Sequence, residues 1–341
     1  MVLRSSAARR KSSRSSSNLK SSNTRKSSRP GGCASSEDAS VSGRQDIPIV
    51  DVRCRVTIPE AGEYFSGRAK ERGRFNTIKS FAKGTIEAFF EEIGEAGITT
   101  AVSTSGQTPE MMIGGRVMAA RTTSNDLMAR LQKEHWGRFI GVAGIDAGNV
   151  LHDSLAELDR CAGMGLRVMF IEPGRSPGCD IDDRRLYPLY DKCLAHDMVL
   201  FPQTSGPWGG KSIDYAHPRH IDQVAEDFPA LRIIAGHACY PYVREAIIVA
   251  ARHENVFLSP DMYLTQMGTE DWVKSLNNNY FGLRDQFLFA TCFPSIPIKP
   301  FVDEFWMLPI KEEVLPRILY KNALRVFKLE DDPVFKSMYP A

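Results

Sequence analysis

HPRHIDQVAEDFPALRIIAGHACYPYVREA, residues 217–246, decides the fold. Its first third, Pro218–Asp227, spaces its apolar residues at helical intervals. Leu231–Ala235 is a short, unbroken apolar run. Helical spacing returns from Tyr242 to Arg252. A continuous apolar run between two helices fits a parallel strand buried on both faces; a half-exposed strand would alternate.

The same unit repeats outward in both directions. Strand-like runs are Ile47–Val56, Ile98–Ser103, Phe139–Ile145, Leu166–Ile171, Met198–Pro202, Leu231–Ala235, Val256–Ser259 and Gln286–Thr291. Between them lie Glu87–Ala96, Leu151–Ala162, Arg184–His196, Pro218–Asp227 and Tyr242–Arg252, with Thr85 and Gly97 as start and stop of the first. Eight strands with intervening helices predict an α/β protein, a (β/α)8 barrel of the TIM type. A doubly wound open sheet is the alternative, but no GxGxxG follows the first strand, so no dinucleotide site is expected. The expected division is a disordered Ser/Arg/Lys-rich tail over 1–45 and a barrel over 46–341.

The net charge of +2 conceals that division. Residues 1–36 hold nine Lys or Arg and no Asp or Glu, so the rest of the chain carries −7. The tail lacks the apolar content that offsets ordering entropy. Its composition suits an organellar targeting segment, a tether to nucleic acid or another anionic surface, or an extension without function. Nucleic acid is otherwise not expected as a partner. No run of about 18 apolar residues occurs, so no membrane span is expected. Cys33, Cys54, Cys161, Cys179, Cys193, Cys239 and Cys292 are odd in number, scattered and without CxxC. They read as reduced thiols in a cytoplasmic protein.

Two connections are unusual. Thr57–Gly84 is long and basic, with Arg68, Lys70, Arg72, Arg74, Lys79 and Lys83 beside Tyr64, Phe65 and Phe75. Thr204–Ala216 is rich in Gly around Trp208. Both follow strands, so in a barrel both belong to the C-terminal face, as lids, substrate walls or oligomer contacts.

The opening block resembles the amidohydrolase-related family, which includes decarboxylases of aminocarboxymuconate semialdehyde and resorcylate as well as lactonases. Shared features are a helix, Phe-Pro-x-Leu (Phe228–Leu231), a short strand, His237, a small residue, and Pro241 before the next helix. Phe289-Ala-Thr-Cys-Phe-Pro294 resembles the family's Gly-Ser-Asp-Tyr-Pro at strand eight. Lys321-Asn-Ala-Leu-Arg-Val-Phe327 resembles its closing Asn-Ala-x-x-x-Phe helix. The likeness spans about residues 46–330. It implies the barrel, His237 as a proton-transfer residue and a homodimer.

This chain departs from the family pattern at the metal. Where the family has His-x-His on strand one, His ending strand five and Asp ending strand eight, the chain reads Arg53-x-Arg55, Gln203 and Cys292. Arginine stays protonated and offers no lone pair. Cys292 with His237 gives at most two ligands, so no metal and no other cofactor is expected. Arg53 and Arg55, at i and i+2 of a strand, share a face. They can clamp an anionic substrate, or be buried in ion pairs with Glu172 or Asp261. His237 suits general acid–base work or is satisfied by backbone carbonyls. Cys292 is a candidate nucleophile or a buried apolar residue. Asp261 can orient His237 or balance the arginines, Gln203 can donate to an oxyanion, and Trp208 and Tyr240 can wall a conjugated substrate. His217 and His220 read as decoration of a helix start.

The expected function is metal-independent hydrolysis of a small carboxylated lactone, ester or amide. The superfamily includes a lactonase that works without a metal. The alternatives are a carbon–carbon lyase, a decarboxylase, and an inactive barrel that only binds its ligand.

Overall fold

A computed structural model describes residues 46–340 apart from Ser105 and Tyr280. The expected tail and its boundary lie outside the described residues. The barrel strands are β1 (Ile49–Asp51), β2 (Ile98–Ser103), β3 (Phe139–Gly141, resuming after Val142 as Ala143–Gly144), β4 (Val168–Ile171), β5 (Val199–Pro202), β6 (Ile233–Gly236) and β7 (Val256–Ser259). All pair in parallel, in the order β1-β2-β3 and then β3 through β7.

The eighth stave is the expected strand Gln286–Thr291. It makes only an isolated bridge, Leu258 to Phe287, yet its backbone closes the ring. Leu288 N donates to Leu258 O at 2.9 Å on one side, and Val52 N donates to Phe289 O at 3.1 Å on the other. The first strand is also shorter than the ten residues expected. Beyond Asp51 it continues irregularly, with Cys54 N bonded to Val102 O and Arg55 N to Phe293 O. Asp51 fixes this seam. Its carboxylate accepts from Arg53 N and Thr291 N, both at 3.0 Å, and from the Thr291 hydroxyl at 2.5 Å. Burial pushes Asp51 up to about 6.

The helices are α1 (Tyr64–Glu71), α2 (Lys79–Lys83), α3 (Ile86–Glu95), α4 (Asn125–Glu134), α5 (Leu155–Gly163), α6 (Tyr187–Ala195), α7 (Arg219–Asp227), α8 (Val243–Arg252), α9 (Thr269–Asn278), α10 (Ile298–Trp306), α11 (Asn322–Phe327) and α12 (Pro333–Met338). The helix expected over Glu87–Ala96 is α3. Thr85 caps it by accepting from Ala88 N at 3.2 Å, and Gly97 ends it at φ 86°. Its Phe89 is fully buried against Phe139 and Phe293. Truncating such a ring to Ala costs roughly 3–5 kcal/mol. The Thr57–Gly84 excursion carries α1 and α2, and two short hairpins (107–108 with 121–122, 111–113 with 116–118) follow β2. Among the described residues no helix is long and apolar enough to cross a membrane.

Candidate active site

The strand ends converge on a cavity of about 630 Å³ including its mouth. The expected face-sharing of Arg53 and Arg55 holds, and both line it. Arg53 is 1% exposed, with its guanidinium 5.5 and 5.8 Å from the Phe170 and Phe201 ring centres. It fits because the residue before His237 is glycine. A Cβ on Gly236 would stand 2.6 Å from Arg53 Nη1 and 2.7 Å from the Phe201 ring.

Arg53 Nη1 reaches Asp261 Oδ2 at 3.4 Å, while Asp261 Oδ1 meets His237 Nδ1 at 2.8 Å. Desolvation dominates both partners. It pushes Asp261 up to about 7 against the pull of Arg53 and Arg55. It also holds His237 well below the usual imidazole range, helped by Arg53, Arg55 and Arg121. His237 is therefore neutral at physiological pH. With Nδ1 engaged by Asp261, Nε2 is the nitrogen left for chemistry.

Three residues at the ends of staves six, seven and eight are turned into the left-handed region: His237 at φ 75°, Asp261 at 47° and Cys292 at 62°. Each such non-glycine residue costs on the order of 1–3 kcal/mol, a cost that concentrates at functional sites. Cys292 Sγ receives Arg55 Nη1 at 3.4 Å, and the Arg55 guanidinium lies 4.6 Å from the Phe65 ring centre.

Several expected placements change. Glu172, expected beside Arg53 or Arg55 and as a substrate contact, does not line the cavity and pairs with other arginines. It is 1% exposed and stands behind Arg121 (Nη1 to Oε1, 2.8 Å) and Arg175 (Nε to Oε1, 3.4 Å). Burial opposes its charge, but those two guanidiniums outweigh it and hold its carboxyl below the ordinary range. Asp261 likewise sits behind the cavity lining, where it can act only through His237 and Arg53. Tyr240 does not line the cavity either. It stacks flat on Tyr263 at 4.1 Å, and Tyr263 is the ring that faces the cavity. Gln203, Trp208, His237 and Cys292 line it. Gln203 Oε1 accepts from Ser205 N at 2.9 Å, which leaves its amide N–H groups to donate. His220, on α7, bonds Asp182 at 2.8 Å and the Asp214 carbonyl at 3.2 Å.

Arg121 and Arg175 did not stand out in the sequence. Arg175 follows Glu172 by three residues at a strand end, the one local hint. Arg121 comes from the hairpin after β2, and only the fold brings it in. Tyr64, on α1, joins them: its hydroxyl lies 3.4 Å from Arg68 Nη1 and 3.5 Å from Arg175 Nη1. Burial opposes its ionisation, yet Arg121 and Arg175 bring the phenol down to about 7.

The fold adds a third member to the two metal ligands expected. Donor atoms of His237, Asp261 and Cys292 lie within 4.8 Å of one another. The set still does not suit a divalent ion. Two of the three are held by Arg53 and Arg55, and a guanidinium about 4 Å from a divalent cation costs roughly 8 kcal/mol at an effective dielectric of about 20. The position is cationic without a metal.

The amidohydrolase family matches residues 90–329. The chain also superposes on an uncharacterized TIM-barrel protein from Bordetella bronchiseptica at 31% identity and TM-score 0.73, over 83% of this chain and 99% of that one. The chain belongs to the amidohydrolase family, a family of enzymes built on the (β/α)8 barrel. Fold-level likeness extends to the 2,6-dihydroxybenzoate decarboxylase from Rhizobium (17% identity, TM-score 0.60, 83% and 99% covered). It extends also to a dihydroxybenzoic acid decarboxylase from Polaromonas sp. JS666 solved with manganese and 2-nitroresorcinol (16%, 0.62, 85% and 99%). Comparison with curated proteins gives no match.

Proposed function

We propose that this barrel hydrolyses a small carboxylated substrate, a lactone, ester or amide, without a metal. The observation that carries the reading is His237 Nδ1 held by Asp261 at 2.8 Å in a cavity lined by Arg53 and Arg55, the residues that replace the resembled family's His-x-His. Arg55, which has no carboxylate partner among the described residues, anchors the substrate anion. His237 Nε2 takes a proton from water as that water adds to the carbonyl, and Asp261 stabilises the resulting imidazolium. The Gln203 amide donates to the oxyanion. The carbonyl reforms as the C–O or C–N bond breaks, and His237 returns its proton to the leaving atom. A lactone and one water give one hydroxy acid.

Decarboxylation is the second reading, motivated by the decarboxylases of the same fold. Guanidiniums that stabilise a ground-state carboxylate oppose its loss, so hydrolysis is preferred. The test is turnover of carboxylated lactones by chelator-treated protein, with product analysis. Ring opening that survives chelation and is lost in His237→Asn supports the proposal. Carbon dioxide release, or activity restored only by manganese or zinc, overturns it.

A further inference from the structure

Seven arginines line one cavity: Arg53, Arg55, Arg68, Arg72, Arg74, Arg121 and Arg175. Among the described residues no carboxylate lines it with them. Asp261 and Glu172, behind the wall, offset at most two of these charges and the Tyr64 phenol at most one more, so at least four remain uncompensated. One substrate carboxylate at Arg55 cannot balance them. The excess lies on the side of the β1 excursion. Arg68 and Arg72 belong to α1 and its end, and Arg74 follows, its guanidinium donating to the Ser295 carbonyl at 2.7 Å. None of these three pairs with a carboxylate among the described residues. Arg72 is held below its usual range by partial burial and by Arg68 and Arg74 beside it. The Tyr64 hydroxyl, bonded to Arg68 and Arg175, shows that an oxygen seated there collects guanidinium donors from both the excursion and the barrel. The buried Nε groups of Arg53, Arg55 and Arg121 have no hydrogen-bond partner among the described residues.

We infer that the β1 excursion forms a second anion subsite, in which Arg68, Arg72 and Arg74, with Arg121 and Arg175 beneath them, grip a further carboxylate of a polycarboxylate substrate. The inference rests on the proposed carboxylate anchor at Arg55 and adds that one anion does not fill the site. Planar guanidinium forks suit carboxylate and phosphate alike, so the two classes must be separated by experiment.

The test is calorimetric titration of the full chain with benzoate, isophthalate, benzene-1,3,5-tricarboxylate and pyrophosphate. The three aromatic probes share a ring and differ in charge. Each added carboxylate should tighten binding about tenfold or more, the value of a charge-assisted hydrogen bond. Arg68→Ala/Arg72→Ala should erase the increments while leaving benzoate in place. These side chains sit at half-buried and exposed positions, and circular dichroism checks the fold. At pH 8 the tricarboxylate should also lower the tyrosinate absorbance near 295 nm, because an anion beside Tyr64 disfavours the phenolate, and Tyr64→Phe should abolish that signal. Equal affinity across the series, no binding at all, or increments that survive the double variant would each overturn the second subsite. Tighter binding of pyrophosphate than of benzene-1,3,5-tricarboxylate, which is similar in charge, would overturn the carboxylate assignment. Lactone turnover is read separately, so an enzyme with no polyanion preference would retain the hydrolase reading and lose this one.

Discussion

Glu172 and Asp261 are both carboxylic acids, both about 1% exposed and both at the C-terminal end of the barrel, yet they behave oppositely. Glu172 is held ionised by two guanidiniums, with Arg121 at 2.8 Å and Arg175 at 3.4 Å. Asp261 has one guanidinium, at 3.4 Å, and a neutral imidazole, and burial lifts it to about 7. Equal desolvation is overcome on one side and not on the other. Glu172 therefore acts as a fixed counter-ion that stiffens the arginine wall. Asp261 titrates near neutrality and can partner a base.

The contrast is broken most severely by Asp261→Asn. An amide cannot hold His237 in the required tautomer, and turnover should fall roughly a thousandfold or more. Steady-state rates beside a circular dichroism spectrum check this; a loss under tenfold would remove Asp261 from the mechanism. Glu172→Gln should act on stability instead. Two buried guanidiniums lose their counter-ion, and unfolding free energy should drop by about 3–5 kcal/mol in a denaturant titration. An unchanged midpoint would contradict the counter-ion role.

Gly236→Ala tests the space between the two regions. Its Cβ would stand 2.6 Å from Arg53 Nη1, so either the guanidinium or the strand must shift. A cost of about 1–3 kcal/mol is expected, together with weaker anion binding, read by thermal denaturation with and without isophthalate.

The pH profile sharpens the comparison. Asp261 must be ionised to hold the Nδ1 proton of His237, so kcat/KM should fall about tenfold per unit as pH drops below about 7. His237 stays neutral through that range, and Glu172 contributes no step there. The linkage sign is the reverse for stability. The folded state holds the Asp261 proton to higher pH than the unfolded chain does, so this group favours folding at low pH, and its contribution is lost as pH rises towards about 7. The smallest effect is expected for Cys292→Ser. Among the described residues the sulfur receives Arg55 alone, at 3.4 Å, and turnover should stay within about fivefold. A collapse of a thousandfold would instead make Cys292 the nucleophile.

Particular residues show where sequence reading reached and where it stopped. Arg53 and Arg55 were legible because i and i+2 share a face, a local rule that survives even where the strand becomes irregular. His237 was legible because a motif places it at a strand end. Tyr240 was misplaced because its neighbour Tyr263 comes from the next stave and stacks in front of it. Glu172 was correctly taken as an arginine partner but given the wrong arginines, since Arg121 is 51 positions away in sequence, on a hairpin with no periodic signature.

By itself the sequence determined the barrel, the family and two arginines sharing one face of the first strand. Alternating apolar periods and adjacent residue types are properties of short stretches, and they survive without knowledge of the fold. The tertiary structure decided which charges meet. Arg53 with Asp261 and Arg55 with Cys292 join residues 208 and 237 positions apart. Whether a carboxylate is a permanent anion or a proton-active group depends on how many guanidiniums reach it in a desolvated cavity. That number is set only when the strand ends converge.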